Sequence, residues 1–91
     1  EVKAEGAAID TALADEMDRG SDPGSTRVRE LMRRKAEWLR AFYEPSPELF
    51  RGLGLLYTED ERFKAGYERI RPGLADYLRR AMAAFADNWM T

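Results

Sequence analysis

The chain has 91 residues, with 15 Lys and Arg against 17 Asp and Glu, a formal charge of −2, and neither cysteine nor histidine. That length predicts one domain, near the lower limit for a core without staples. The missing residue types exclude disulfides, thiolate metal sites, a thiol nucleophile, a histidine general base and a histidine haem ligand.

No apolar run reaches membrane-spanning length, and the polar, Ala-rich start is unlike a signal peptide. A cytoplasmic protein is expected, and the absence of an initiator Met points to a piece of a longer one. Arg27, Arg29, Arg33 and Arg34 form the one basic run, interrupted by Glu30 and Glu37. This pattern reads as a solvated helix face rather than a nucleic-acid surface.

Five helices are predicted. The first spans about Val2 to Arg19, with Ile9, Leu13 and Met17 at helical spacing beside Ala8 and Ala12. Gly20 is a C-cap signal, and Ser21 to Ser25 (SDPGS) is a turn. The second helix is read from Thr26 to Tyr43, with Ser25 or Thr26 as its cap. Its apolar stripe is Val28, Leu31, Met32, Ala36, Leu39, Phe42 and Tyr43, with Trp38 on the edge and Lys35 near the middle.

Glu44 to Pro47 breaks the chain. Ser46 caps a third helix that has Pro47 at its first position and Leu49, Phe50, Leu53, Leu56 and Tyr57 along it. Gly52 and Gly54 each weaken that helix by roughly 1 kcal/mol relative to Ala, which marks either close approach of another element or simple tolerance. Asp60 caps a short fourth helix carrying Phe63, Gly66, Tyr67 and Ile70. Pro72 and Gly73 open the fifth, with Leu74, Tyr77, Leu78, Ala81, Met82 and Phe85, extending toward Trp89.

The aromatic residues serve either as core or as walls of a cleft for a flat, greasy ligand. Lys35 has three readings: snorkelling to water, pairing with a carboxylate across the bundle, or pointing into such a cleft. Glu59, Asp60 and Glu61 fit capping and the helix dipole. No spacing calls for a metal, a cofactor or a catalytic pair, so a non-enzyme is expected.

The segments RRKAEWLRAFY, FYEPSPE, GLGLLYTEDERF and YERIRPGLADYLRRAM stand in order between Arg33 and Met82. Together they resemble the TipAS domain, the antibiotic-recognition half of certain MerR-type transcription activators. The likeness is strong from about Arg27 to Phe85 and loose over the first helix. It implies an all-α, five-helix, globin-like domain without haem, occupying residues 1–91. Residues 1–25 would form an N-terminal helix and turn that act as a lid, and residues 26–91 the helical core.

The resemblance further implies a ligand-sensing domain that binds amphiphilic antibiotics. The isolated domain is expected to be a monomer within a dimeric regulator, reaching DNA only through a separate DNA-binding domain. Thiopeptide-capturing members carry a cysteine in the segment matching Glu44-Pro45-Ser46. Its absence here implies non-covalent binding. The position of Lys35 is often a histidine in the family pattern. The residues expected to line the cleft are Lys35, Trp38, Phe42, Phe50, Tyr57, Phe63 and Tyr67. The alternative is an interaction module whose groove takes a partner helix.

Overall fold

A computed structural model describes residues 2–90, Val2 by its backbone alone. Five helices follow in order: α1 (Val2–Asp18), α2 (Thr26–Leu39), α3 (Pro47–Glu59), α4 (Glu61–Ile70) and α5 (Leu74–Trp89). There is no strand among the described residues. The expected all-α, five-helix arrangement is therefore the observed one.

The helix ends follow local chemistry. Ser25 and Ser46 each accept a hydrogen bond from the backbone N–H three residues on, at 3.4 and 3.1 Å. Asp60 closes α3 and opens α4, its Oδ1 accepting from the amides of Arg62 at 2.9 Å and Phe63 at 3.4 Å. Gly73 precedes α5 at φ 91°, a left-handed conformation that favours glycine. It has no side chain to cap with, and Glu68 of α4 does so instead. The Glu68 carboxylate accepts from the amides of Gly73 at 2.8 Å and Ala75 at 3.1 Å. Those two bonds hold its carboxyl below the usual range.

One boundary differs from the sequence expectation. α2 ends at Leu39 rather than Tyr43. Arg40, Ala41 and Phe42 instead donate to carbonyls three residues back. This tightened turn precedes Pro45, which disfavours helical geometry in Glu44. Phe42 and Tyr43 therefore leave the α2 stripe and are exposed.

The core is built mainly from α2, α3 and α5. Val28, Met32, Phe50, Leu74, Leu78 and Met82 are fully buried. The closest helix pair is α3 against α5, and Gly54 makes it possible. A Cβ there would lie 3.3 Å from the Arg79 Cα and 3.4 Å from both the Arg79 carbonyl and the Met82 Cβ. Gly52 faces open space. Of the two readings for these glycines, close approach applies to Gly54 and tolerance to Gly52.

A lid role for residues 1–25 calls for a loosely held first helix. Its Ile9, Leu13 and Ala14 are buried, however, whereas α4 buries no residue. The C-terminal half of α1 is anchored at several points. Arg71 Nε lies 2.8 Å from Asp18, and the Ser21 hydroxyl donates to Glu16 at 2.7 Å. The Tyr77 hydroxyl donates to the Ser21 carbonyl at 2.7 Å, tying the α1–α2 turn to α5.

The two glycines of α3 yield substitutions of opposite sign. Gly52→Ala gains helix propensity without a clash and should stabilise the domain by about 0.5–1 kcal/mol. Gly54→Ala forces α3 off the α5 backbone, and the overpacking outweighs the propensity gain by about 1 kcal/mol. Thermal melts should show Tm rising for the first and falling for the second. A rise for both would mean that the α3–α5 contact yields easily.

Candidate functional site

The site is organised around Lys35. It lies in the α2 stripe because its neighbours Met32, Ala36 and Leu39 face the core, and it is only 3% exposed. Little of the side chain reaches solvent, which argues against the snorkelling reading. Its Nζ sits 5.4 Å from the Trp38 ring centroid and 5.3 Å from that of Tyr57, close enough for cation–π attraction to both. Burial lowers its pKa, and the Asp10 carboxylate opposes that shift.

The rings around it fall into two groups that meet at Lys35. Trp38 meets Phe42 edge-on at 5.2 Å. Tyr57 contacts Phe63 at 5.3 Å and Tyr67 at 5.1 Å. Burial, the dominant cause, pushes Tyr57 up to about 12 and raises Tyr67 as well, so both phenols are neutral donors at physiological pH. Trp38 also packs on α1: a Cβ at Gly6 would stand 2.8 Å from its Cζ2.

Lys35, Trp38, Phe42, Tyr57, Phe63 and Tyr67 are thus brought together from α2, the turn after it, α3 and α4. Phe50 is placed elsewhere. Its ring is fully buried and packs on Phe85 of α5 at 5.6 Å. A periodic stripe identifies a buried face but not which neighbour that face meets, and Phe50 lies on the side of α3 turned to α5.

Asp10 belongs to the site and was not anticipated. It lines a cleft of about 280 Å³ between α1 and α4, together with Arg62, Phe63, Gly66, Tyr67 and Ile70. Its Oδ1 is buried and has no hydrogen-bond donor. Burial raises its pKa, and the Lys35 charge works in the opposite direction. The sequence did carry a signal, because Gly6, Asp10, Leu13 and Met17 fall on one helical stripe. A carboxylate on that stripe is the natural counterpart of the lysine in α2.

A larger groove of about 380 Å³ lies between α2 and the end of α5, lined by Arg33, Glu37, Arg40, Phe85 and Trp89 among others. Its charges are already matched. Arg33 forms a two-pronged bond with Glu30, and Arg40 pairs with Glu37 and Glu44. The smaller cleft is the better candidate because it joins exposed apolar surface to Asp10, whose Oδ1 lacks a donor.

A small helical domain with a cleft walled by Phe63, Tyr67 and Ile70 has apolar surface suited to a guest molecule. The chain belongs to the family of the TipAS antibiotic-recognition domain, which matches residues 1–85. It is 42% identical over 84 residues to the HTH-type transcriptional regulator SkgA of Caulobacter vibrioides, covering 90% of this chain and 33% of SkgA. It is 39% identical over 46 residues to the HTH-type transcriptional activator mta of Bacillus subtilis, covering 50% of this chain and 18% of mta. The chain therefore spans about a third of SkgA and less than a fifth of mta. No solved structure matches it.

The Asp10–Lys35 arrangement predicts linked titrations. Asp10 has a folded pKa above its ordinary 3.8, so protons bind the folded state more tightly. Its contribution to stability is complete below that ordinary value and fades as pH rises through the folded one. The stability difference between wild type and Asp10→Asn should therefore fall as pH rises from about 4 toward neutral. In the same variant Lys35 loses its opposing charge, and its pKa should drop further. Carbon-13 titration of the Lys35 Cε reads this directly, and an unmoved Lys35 would mean the two groups do not interact.

Proposed function

We propose that this chain is the effector-binding domain of a MerR-type transcription activator. In this reading it binds amphiphilic, antibiotic-like molecules non-covalently in the cleft between α1 and α4. The observation that carries the proposal is a buried Lys35 held among Trp38 and Tyr57, behind an open cleft walled by Phe63 and Tyr67. Burying an ammonium is unfavourable for folding, so its retention beside an unfilled cleft points to use in binding. Phe63 and Ile70 are 44% and 37% exposed, leaving apolar surface for a guest to cover.

Family membership and the similarity to SkgA and mta, whose names describe transcription regulators, support the regulatory role. Contact with DNA would come through another part of the full protein. The absence of cysteine rules out capture of an electrophilic ligand by a thiolate. A second reading draws on the seven-residue spacing of Phe63 and Ile70, which also suits a partner helix laid along α4.

Binding separates the two. Thermal-shift titration with thiopeptides and other amphiphilic antibiotics should raise Tm in proportion to the logarithm of concentration. Phe63→Ala and Tyr67→Ala should each weaken that response by about tenfold, the effect of one ring in an apolar pocket. Stabilisation that survives both substitutions would place the ligand elsewhere. If no small molecule stabilises the domain, the partner-helix reading takes over.

The lid is narrower than the whole N-terminal helix. The half of α1 beyond Asp10 is fixed by Leu13, Ala14 and the Arg71–Asp18 pair, while the earlier half is held by the buried Ile9, by Trp38 against Gly6 and by the exposed Arg34–Glu5 pair. Hydrogen exchange in the free domain should be faster from Gly6 to Asp10 than from Leu13 to Asp18, and ligand should slow the former selectively. Equal protection along α1 would remove the lid.

A further inference from the structure

The acids of α1 divide sharply by whether they have a partner. Glu5 pairs with Arg34 at 3.4 Å and Glu16 with Arg27 at 3.7 Å. Asp15 and Asp18 share Arg71, at 3.5 and 2.8 Å. Asp10 is the exception among the described residues of the helix. It enters no ion pair, and its buried Oδ1 receives no hydrogen bond. It is also the one acid that lines the cleft between α1 and α4, where its companions are Phe63, Gly66, Tyr67, Ile70 and Arg62.

We infer that Asp10 is the head-group receptor of this cleft, and that the cleft selects cationic amphiphiles, a protonated amine carried on a flat apolar body. The inference rests on the cleft reading above and names the class of guest that the cleft prefers.

A carboxylate away from water needs donors or an opposite charge. An ammonium brings both, and its charge-assisted bonds are roughly twice as strong as neutral ones. The walls favour the same guest, because the faces of Phe63 and Tyr67 attract a cation as well as an apolar body. Burial raises the pKa of Asp10 and so disfavours its charged form in the empty domain. A cation seated beside it offsets that effect. A hydroxyl head would gain only an ordinary hydrogen bond, and an anionic head would lie against the carboxylate.

Two cations of the protein bear on this preference. Arg62 lines the cleft, but its side chain is 91% exposed and stands 3.7 Å from the Asp60 carboxylate, so its charge is matched and screened. Lys35 does not line the cleft, and its ammonium is turned to the Trp38 and Tyr57 rings. A guest therefore meets Asp10 directly and Lys35 only from a distance, where attraction to the nearer group prevails.

Three probes with one ring system and different heads test the inference: naphthylmethylammonium, naphthylmethanol and naphthaleneacetate. Titration of nitrogen-15-labelled protein, followed at the Gly66 and Tyr67 amides, reports cleft occupancy for each. The ammonium should bind about tenfold more tightly than the alcohol, the margin of a charge-assisted bond over a neutral one, with the acetate weakest. Asp10→Asn keeps the shape of the side chain and removes its charge. It should cost the ammonium about that tenfold, close its gap to the alcohol and move the acetate up the order.

An ammonium-to-alcohol ratio that survives Asp10→Asn would assign the preference to the rings or to a structural role of Asp10, and overturns the inference. Equal binding of the three probes by the wild type, or a preference for the acetate, overturns the selectivity while the cleft stands. If none of the probes shifts Gly66 or Tyr67, the cleft reading falls together with the inference. Should Asp10→Asn fail to fold, Asp10→Ser is read in the same way, and the wild-type order still decides the selectivity.

Discussion

The fold depends on how closely α3 can lie against α5. Gly54 removes the side chain that would hold them apart and sets α3 on the backbone around Arg79. With the helices that close, Phe50 packs on Phe85, and Leu78 and Met82 become fully buried. A chain of this size has few large apolar residues to distribute, and this contact uses many of them. What remains is not enough to seal the outer helix. Asp60 ends α3 and begins α4 with no intervening loop, so α4 is carried alongside the core rather than into it. The cleft between α1 and α4 is the space that results.

Among the buried side chains the lysine of α2 is the costly element. An ammonium in a stripe with Met32 and Leu39 would normally be replaced by an apolar side chain, and such replacements are often neutral or stabilising. The fold moderates the penalty in two ways. The faces of Trp38 and Tyr57 supply electron-rich surface near the charge, and Asp10 supplies an opposite charge without contact. Neither gives the ammonium a conventional acceptor. A structural ion pair would bring oxygen to nitrogen, as Arg51 and Asp87 do at 2.6 Å across α3 and α5. Asp10 and Lys35 form no such pair, and each shifts the titration of the other only through space.

The punctuation of the chain was legible because it is local. Ser25, Ser46, Asp60, Gly20 and Gly73 act on backbone groups a few residues away, and the helices start and stop where these residues direct. The end of α2 was less legible, since the stripe continues in sequence through Phe42 and Tyr43 while the tightened turn before Pro45 rotates them outward. Lys35 was conspicuous as a charge in an apolar row. Its counterpart was not, because Asp10 looks ordinary on a helix rich in small and acidic residues. Phe50 shows the same limit from the other side. Its burial could be read from spacing, but its neighbour depends on the α3–α5 contact. Glu68 capping a helix other than its own is likewise a tertiary fact, invisible to any rule based on adjacent residues.

Tyr57 connects the cleft to the rest of the molecule. It is 6% exposed and packed within the core, yet its ring also touches Phe63 and Tyr67 and lies beside the Lys35 ammonium. Closely packed interiors do not deform gradually, so a guest that displaces Tyr67 or draws on Lys35 must also act on Tyr57. Tyr57 stands one turn beyond Gly54 on α3, the helix that fixes the core against α5. Occupancy of the cleft and stability of the core are therefore linked through one residue. In a domain this small, a cleft cannot be kept separate from the core, and that coupling follows from size alone.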